Sequence, residues 1–137
     1  MSFSGDIRKH SDKYQKRMRA VYRNSVQEVA EDANTPVVKG GNMRVATGFL
    51  RNSQAFNLGQ MPSGPTRGEP NQHYTSRIGA GPVEILGRWQ PGNTVFVGWT
   101  ANYARFRNAK DGFMSLAAQK WNSIVRRNAE KAKRAGL

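Results

Sequence analysis

Apolar residues in the first quarter of the chain recur at the spacing of one face of an α-helix. The series begins with Ile7 and Tyr14, continues through Met18 and Val26, and ends near Ala33. The segment Asn34-Thr35-Pro36 follows it, and proline disfavours helical geometry in the residue before it. The pattern therefore predicts a long helix over residues 1–34.

A second helical pattern lies near the end of the chain. Phe113, Leu116, Trp121, Ile124 and Val125 follow one another at steps that place them on one side of a helix. A glycine at position 136 is a typical helix stop. We expect a C-terminal helix over residues 113–135.

The middle of the chain contains two segments of different composition. Residues 57–82 are rich in glycine and proline, so we expect a flexible loop that a neighbouring molecule orders in an assembly. Residues 83–99 predict a hairpin, because two apolar runs flank Gln90-Pro91-Gly92-Asn93. Proline and glycine occupy the two central positions, as a type II turn favours. Alternation places Val95, Val97 and Trp99 on one face of the second strand.

These elements predict an α+β fold. It consists of a long N-terminal helix, a small, mainly antiparallel sheet with a hairpin, and a C-terminal helix packed on the sheet. A chain of 137 residues is long enough for one modest core, so we expect a single domain over residues 1–137.

The composition offers little for catalysis. The chain has no cysteine, which excludes thiol chemistry, disulfides and thiolate metal sites. Neither His10 nor His73 has a carboxylate or a second histidine at metal-ligand spacing. No nucleophile stands beside a plausible base. We therefore expect no catalytic residue, no metal site and no cofactor. No apolar run reaches the length of a membrane span, so no membrane partner is expected.

The charge balance indicates which class of partner to expect. The 22 lysines and arginines exceed the nine acids and give a net charge of +13, which favours acidic partners such as nucleic acid or an acidic protein surface. A solvated helix face is the simplest explanation for most of these charges. The candidate interface or DNA-facing residues are Arg8, Lys9, Lys13, Lys16, Arg17, Arg126, Arg127, Lys131, Lys133 and Arg134.

Four short motifs occur in a fixed order between the two predicted helices. They are Thr47-Gly48-Phe49-Leu50-Arg51-Asn52-Ser53, then Val95-Phe96-Val97-Gly98, then Tyr103-Ala104, and finally Phe113-Met114 at a helix start. In this order the chain resembles the tail-completion proteins of long-tailed bacteriophages, also called neck or tail-to-head joining proteins. The motif residues that match are Thr47, Gly48, Leu50, Arg51, Ser53, Val95, Val97, Gly98, Tyr103, Ala104, Phe113 and Met114.

The resemblance covers roughly residues 10–130 and implies a structural role in a virion, after assembly in the host cytoplasm. Members of that family form rings that join the tail to the head-side connector. For this chain the resemblance implies a homo-oligomeric ring of six copies, with twelve as the alternative. Its partners would be the connector and tail-tube proteins, with transient, non-specific contact to double-stranded DNA passing through the ring. The chain departs from the family pattern after Tyr103-Ala104, where Arg105-Phe106-Arg107-Asn108 stands in place of the usual acid and Gly-Thr pair, and at Gly112, where proline is usual.

A second hypothesis belongs to a different class. The basic helices suit a sequence-independent nucleic-acid-binding protein that contacts phosphates directly. Aromatic and basic residues also interleave at Trp99, Tyr103, Arg105, Phe106 and Arg107, as in single-strand binding surfaces. The favoured interpretation of that cluster places Trp99 and Phe106 in the core and Tyr103 at its rim.

Overall fold

A computed structural model describes residues 3–136 of the chain. The described elements confirm the α+β class, with a long N-terminal helix, a small antiparallel sheet and a C-terminal helix. None of the described helices has the length and apolar character needed to cross a membrane. In chain order the elements are α1 (Phe3–Ala33), a 3-10 turn (Val37–Lys39), α2 (Phe49–Asn52), β1 (Gln54–Leu58), α3 (Pro82–Arg88), β2 (Val95–Trp99), α4 (Ala104–Asp111), α5 (Phe113–Ala118) and α6 (Trp121–Arg134).

Helix α1 ends where the sequence predicts. The Thr35 hydroxyl donates a hydrogen bond to the Glu31 carbonyl at 2.9 Å and satisfies one of the last helical acceptors. Asn34 then ties the helix end to the sheet, because its side-chain oxygen accepts a 2.8 Å hydrogen bond from the Trp99 indole. This contact fixes the end of α1 beside the end of β2.

The sheet has two antiparallel strands, β1 and β2, with Phe56 opposite Val97. The prediction of a hairpin over residues 83–99 is therefore wrong, since β2 pairs with a strand from before the long loop. Residues 82–88 form helix α3 instead. The Gln90–Asn93 turn is present, with Gly92 at a φ of 99° and the Asn93 amide 2.9 Å from the Gln90 carbonyl oxygen.

The physical reason for α3 lies in its own sequence. Pro82 occupies the first helical turn, where its missing N–H costs nothing. Ile85 and Leu86 are both buried, whereas Val83 is 83% exposed. An alternating strand would have placed Val83 and Ile85 on the same face. A helix buries the adjacent pair and leaves Val83 in solvent.

The C-terminal helix also differs from the prediction. The single helix expected over residues 113–135 is interrupted between Ala118 and Trp121, giving α5 and α6. Helix α6 packs mainly against α1, and not on the sheet as expected. The two helices run antiparallel, with Lys120 bonded to Asp32 at 3.1 Å and Asn128 to Ser25 at 3.2 Å.

Two buried clusters form the core. The first joins the end of α1 to α2, α4 and α5, with Met43, Phe49, Leu50 and Phe113 among its members. The second lies between α1, the sheet and α3, centred on Phe56. The sheet, α3 and the helices of the C-terminal part of the chain are therefore held together through the C-terminal half of α1.

The segment between β1 and α3 has no regular structure but lies against its own chain. The Tyr74 amide donates to the Thr47 carbonyl at 2.7 Å, and the Ile78 amide to the Asn52 carbonyl at 2.9 Å. Arg77 donates to the Gln54 carbonyl at 2.6 Å. The flexibility expected for residues 57–82 stays a prediction, to be tested at these points of attachment.

Candidate functional site

The first motif forms a tight turn that leads into helix α2. Gly48 has a φ of 84°, in the left-handed region that glycine adopts most easily. A Cβ atom at this position would lie 2.2 Å from the Tyr74 carbonyl oxygen. The Thr47 hydroxyl accepts a 3.3 Å hydrogen bond from the Phe49 amide. The turn therefore requires glycine both for its backbone angle and for the close approach of the loop.

Two of the motifs, about fifty residues apart in sequence, meet in space. Leu50 of the first motif and Ala104 of the Tyr103-Ala104 pair belong to the same buried cluster, together with Phe113 of the helix start. The Leu50 backbone also bonds the Tyr103 hydroxyl. The structure thus brings together residues that the sequence analysis connected only through a resemblance.

Above this cluster lies a groove of about 370 Å³. Its apolar lining includes buried Leu50 and the exposed residues Val45 and Ala46. Its rim is polar and basic, formed by Arg44, Arg51, Tyr103 and Arg107, with Thr47 and Phe49 completing the wall. We refer to this depression as the arginine groove.

One carboxylate balances part of the charge in the arginine groove. Asp111 is nearly buried, with 9% of its side chain exposed. Arg107 donates hydrogen bonds to its carboxylate, from Nη2 at 2.6 and 2.7 Å and from Nε at 3.0 Å. Arg44 lies farther from it, at 3.8 Å, and its side chain is 76% exposed. Three guanidinium groups line the groove, those of Arg44, Arg51 and Arg107, and Asp111 pairs with two of them, so the rim retains a positive charge that suits an anionic group.

Arg51 has a second role at the groove wall. Its Nε donates to the Asn34 carbonyl at 2.9 Å, and the Asn34 side chain donates back to the Arg51 carbonyl at 2.9 Å. This reciprocal pair joins α2 to the end of α1.

Arg51 also affects the pKa of a neighbouring arginine. Burial lowers the pKa of the Arg77 guanidinium, the nearby positive charge of Arg51 lowers it further, and Glu31 opposes the shift.

Tyr103 provides a neutral donor at the rim. Burial raises the pKa of the Tyr103 hydroxyl above its ordinary value, and the hydrogen bond with the Leu50 backbone partly offsets this shift. The phenol therefore stays protonated through the neutral range and can donate to an anion or a carbonyl. Tyr103 is 39% exposed and lines the groove, so a ligand there would contact it.

The remaining motif residues serve the fold. Val95 and Val97 pack on the second core cluster, and Gly98 is buried where its missing side chain admits Met61, whose methyl carbon would lie 2.7 Å from an added Cβ. The Ser53 hydroxyl donates to the Leu50 carbonyl at 2.7 Å. Met114 stands partly exposed beside a small apolar cavity between α1, β2 and α5. These positions hold elements in place and do not line the groove.

The predicted basic surfaces lie at the other end of the molecule. Because α6 runs antiparallel to α1 from Asp32, its fourteen residues extend about 21 Å and reach back to about residue 18 of α1. The basic end of α6 therefore adjoins the basic first half of α1. The basic residues at this end of α6, Lys131, Lys133 and Arg134, thus lie on the side of Lys16 and Arg17, whereas Arg8, Lys9 and Lys13 lie farther along α1, beyond the reach of α6. Arg126 and Arg127 lie nearer the middle of α1, where Arg127 pairs with Glu28.

Within this set, Arg127 has a structural partner, since it forms an ion pair with Glu28 of α1. Lys131 lines a polar groove between α1 and α6 with Asn24, Gln27 and Asn128. Arg126, Lys133 and Arg134 are exposed. The free basic surface of α6 is thus narrower than the sequence alone indicates.

Sequence reasoning missed Arg44, Arg107 and Asp111 as parts of one site. The four-residue spacing of Arg107 and Asp111 is a signal for an ion pair on one helix face. Nothing in the sequence places Arg44 or Arg51 beside that pair. The described residues contain no group of His, Cys, Asp or Glu side chains arranged to hold a metal ion.

Comparison with known proteins adds no relative. No protein-family model, no curated protein and no solved structure matches the chain.

Proposed function

We propose that this chain is a virion structural protein of the neck or tail-completion type, forming a ring that joins a phage tail to the head-side connector and lets DNA pass. The observation that carries the proposal is the meeting of the Thr47–Ser53 and Tyr103–Ala104 motifs in one core cluster beneath one groove. Motifs that match those of one protein family are expected to lie close together in space if they form a common structural unit.

The arginine groove is the surface we assign to contact between copies in the ring. It combines apolar lining residues with a positively charged rim, a combination that fits an acidic or carbonyl-bearing side chain of a neighbouring subunit. Arg44 is well suited to such a contact because its side chain is 76% exposed and its Nε lies 3.8 Å from the Asp111 carboxylate, beyond hydrogen-bond distance.

Mass photometry of the purified protein tests this proposal. We expect a discrete species of six or twelve copies that does not require DNA. Arg44→Glu should abolish that species, because it reverses the charge at the groove rim. Arg88→Glu is the matched control, since the Arg88 side chain is 63% exposed on α3 and pairs with exposed Glu84. A monomer under all conditions, or equal assembly of both variants, would count against the ring interface.

Sequence-independent nucleic-acid binding is the second candidate. It is favoured by the juxtaposition of the basic half of α1 with the basic end of α6. If the protein has this function, the number of copies bound to a DNA duplex should increase with duplex length, and no discrete ring should form. Mass photometry with duplexes of two lengths distinguishes the two functions. A ring should contain the same number of copies on the short and the long duplex.

A further inference from the structure

Hydrogen bonds at both ends of the sheet fix which backbone groups point away from the partner strand. The Thr100 amide donates to the Ser53 carbonyl at 3.2 Å, and the Gly59 amide donates to the Thr94 carbonyl at 2.9 Å. Along an antiparallel pair, residues that bond across the pair alternate with residues whose N–H and C=O groups point outward. In β2 the outward residues are Val95, Val97 and Trp99.

The outer edge of β1 is closed by the chain itself. The Phe56 amide donates to the Ala80 carbonyl at 2.9 Å, and Arg77 donates to the Gln54 carbonyl at 2.6 Å. The Leu58 amide bonds to the side chain of the preceding asparagine at 2.9 Å. The outward residues of β1 are therefore all attached to other parts of the chain.

The outer edge of β2 is open. Among the residues that the structure describes, no backbone group bonds to the outward N–H and C=O groups of β2, and only β1 runs alongside this strand. Val95, Val97 and Trp99 are all partly exposed. Natural sheets protect such an edge with lysine, proline or a bulge, and β2 has none of these.

An apolar cavity of about 130 Å³ lies beside this edge. Val97 and Trp99 line it together with apolar residues of α1 and α5, among them Met114, which is 36% exposed. The outward residues of β2 share one face of the strand, because side chains alternate between its two faces. A strand added to β2 would place alternate side chains on that same face, next to the cavity.

A second copy of the chain offers a matching strand in its own β2. If two β2 strands pair antiparallel about Val97, each Val97 faces the other, and each Val95 faces Trp99 of the other copy. All of these residues are outward ones, so each facing pair can exchange two hydrogen bonds. The arrangement is the same for both copies, as a two-fold contact requires.

The charge distribution also permits two copies to meet at this edge. The chain carries a net charge of +13, so contact between copies at most surfaces would bring like charges together. Residues 89–104, which contain β2 and the turn before it, include no Lys, Arg, Asp or Glu. Since no charge at the edge selects a partner, the matching backbone pattern decides, and it favours a second copy.

We propose that β2 pairs with β2 of a second copy, so that their two sheets join into one antiparallel sheet. The arginine groove is not part of this contact, because no residue of β2 lines it. A two-fold contact cannot join neighbours that have the same orientation in one ring, so in the purified protein it joins two rings and gives twelve copies. Only this last step rests on the proposed function.

Phe96→Lys tests the pairing. Phe96 is partly exposed on the other face of β2 and belongs to neither buried cluster. In the pair the two Phe96 side chains are diagonal neighbours, so two lysines at this position would repel each other. Asn57→Lys is the matched control, since Asn57 faces Phe96 from β1 and places the same charge one strand away from the edge. Thermal unfolding verifies that both variants fold.

Analytical ultracentrifugation gives the number of copies. We expect twelve copies for the unchanged protein and for Asn57→Lys, and six for Phe96→Lys. Arg44→Glu, which removes the groove contact, should leave a dimer. Adding Phe96→Lys to that variant should raise the dissociation constant of the dimer about tenfold or more.

Amide exchange in the Arg44→Glu protein identifies the paired surface without a change in β2. The Phe96 amide points to β1 and should exchange slowly at every protein concentration. The Val97 amide points outward and should exchange slowly only at concentrations where the dimer forms. Hydrogen-exchange NMR measures both amides.

The outcomes separate this proposal from the proposed function. A dimer in which the Val97 amide still exchanges fast would overturn the pairing, as would equal effects of Phe96→Lys and Asn57→Lys. Val97 protection that requires an added, acetylated and amidated peptide of alternating valine and threonine would overturn the choice of a second copy and assign the edge to a different protein. A six-copy unchanged protein with a monomeric Arg44→Glu variant would overturn the pairing and leave the ring standing. An unchanged protein that forms dimers and nothing larger would count against the ring and leave the pairing standing.

Discussion

At the scale of single residues, Gly48 is the position where the backbone is most constrained. It combines a positive φ with a loop carbonyl that would stand 2.2 Å from any Cβ. We expect Gly48→Ala to destabilise the protein by about 2 kcal/mol or more, because strain and a clash with backbone act together. Gly87→Ala in α3 is the control, since it meets nothing within 4 Å and should be neutral or slightly stabilising. Chemical denaturation measures both; equal midpoints would refute the constraint.

Asp111 is the second residue whose role can be isolated. It is nearly buried and accepts a multiple contact from Arg107, whereas the Arg88–Glu84 pair is exposed on both sides. Asp111→Ala should cost about 1.5–3 kcal/mol, because a partly buried guanidinium loses its charged partner. Glu84→Ala should cost no more than about 0.5 kcal/mol. Thermal unfolding of the two variants checks this, and comparable losses would mean that the Asp111 pair is as weak as a surface pair.

At the scale of elements, the segment between β1 and α3 is the one most open to a direct test. The sequence predicts flexibility, yet the structure attaches the segment to the body at Tyr74 and Ile78. We expect amide exchange to be fast over most of residues 59–81 but slowed at these two amides and at Gly59, because the Gly59 amide also donates outside the segment, to the Thr94 carbonyl at 2.9 Å. Hydrogen-exchange NMR on the free subunit measures each amide.

Arg77 provides the variant for that experiment. It holds the segment to β1 through both the backbone and the side chain of Gln54. Arg77→Ala should raise exchange at Ile78 while leaving the α1–α6 pair unchanged. Uniformly slow exchange across the whole segment would contradict the expected flexibility, and unchanged exchange at Ile78 in the variant would contradict the role of Arg77.

At the scale of the whole molecule, the net charge of +13 predicts how the free protein meets DNA. Binding to duplex DNA should be independent of sequence and fall steeply between low and physiological salt, because phosphate contacts release counterions. Reversing Arg126, Lys133 and Arg134 should reduce the salt slope, since these α6 residues are exposed. Reversing Arg127 should also cost stability, because it pairs with Glu28. Fluorescence anisotropy across a salt series measures the slope; tight binding to one sequence at physiological salt would overturn the architectural proposal.

Helical periodicity and turn chemistry are local, so the sequence by itself determined the end of α1 near Asn34, the start of α5 at Phe113 and the turn around Gly92. The candidate basic residues were likewise readable from composition. The arginine groove was not, because Arg44 and Arg107 meet only after α2 and α4 pack on a shared cluster.

Tertiary structure decided the features that depend on which apolar surfaces find each other. Strand β2 pairs with β1 instead of residues 83–88, because a helix there buries Ile85 and Leu86 together. The stripe from Ile7 to Ala33 has a single period, but α6 is long enough to cover only its second half. Periodicity marks a face that can pack, whereas chain length and partner geometry decide how much of that face remains open to another molecule.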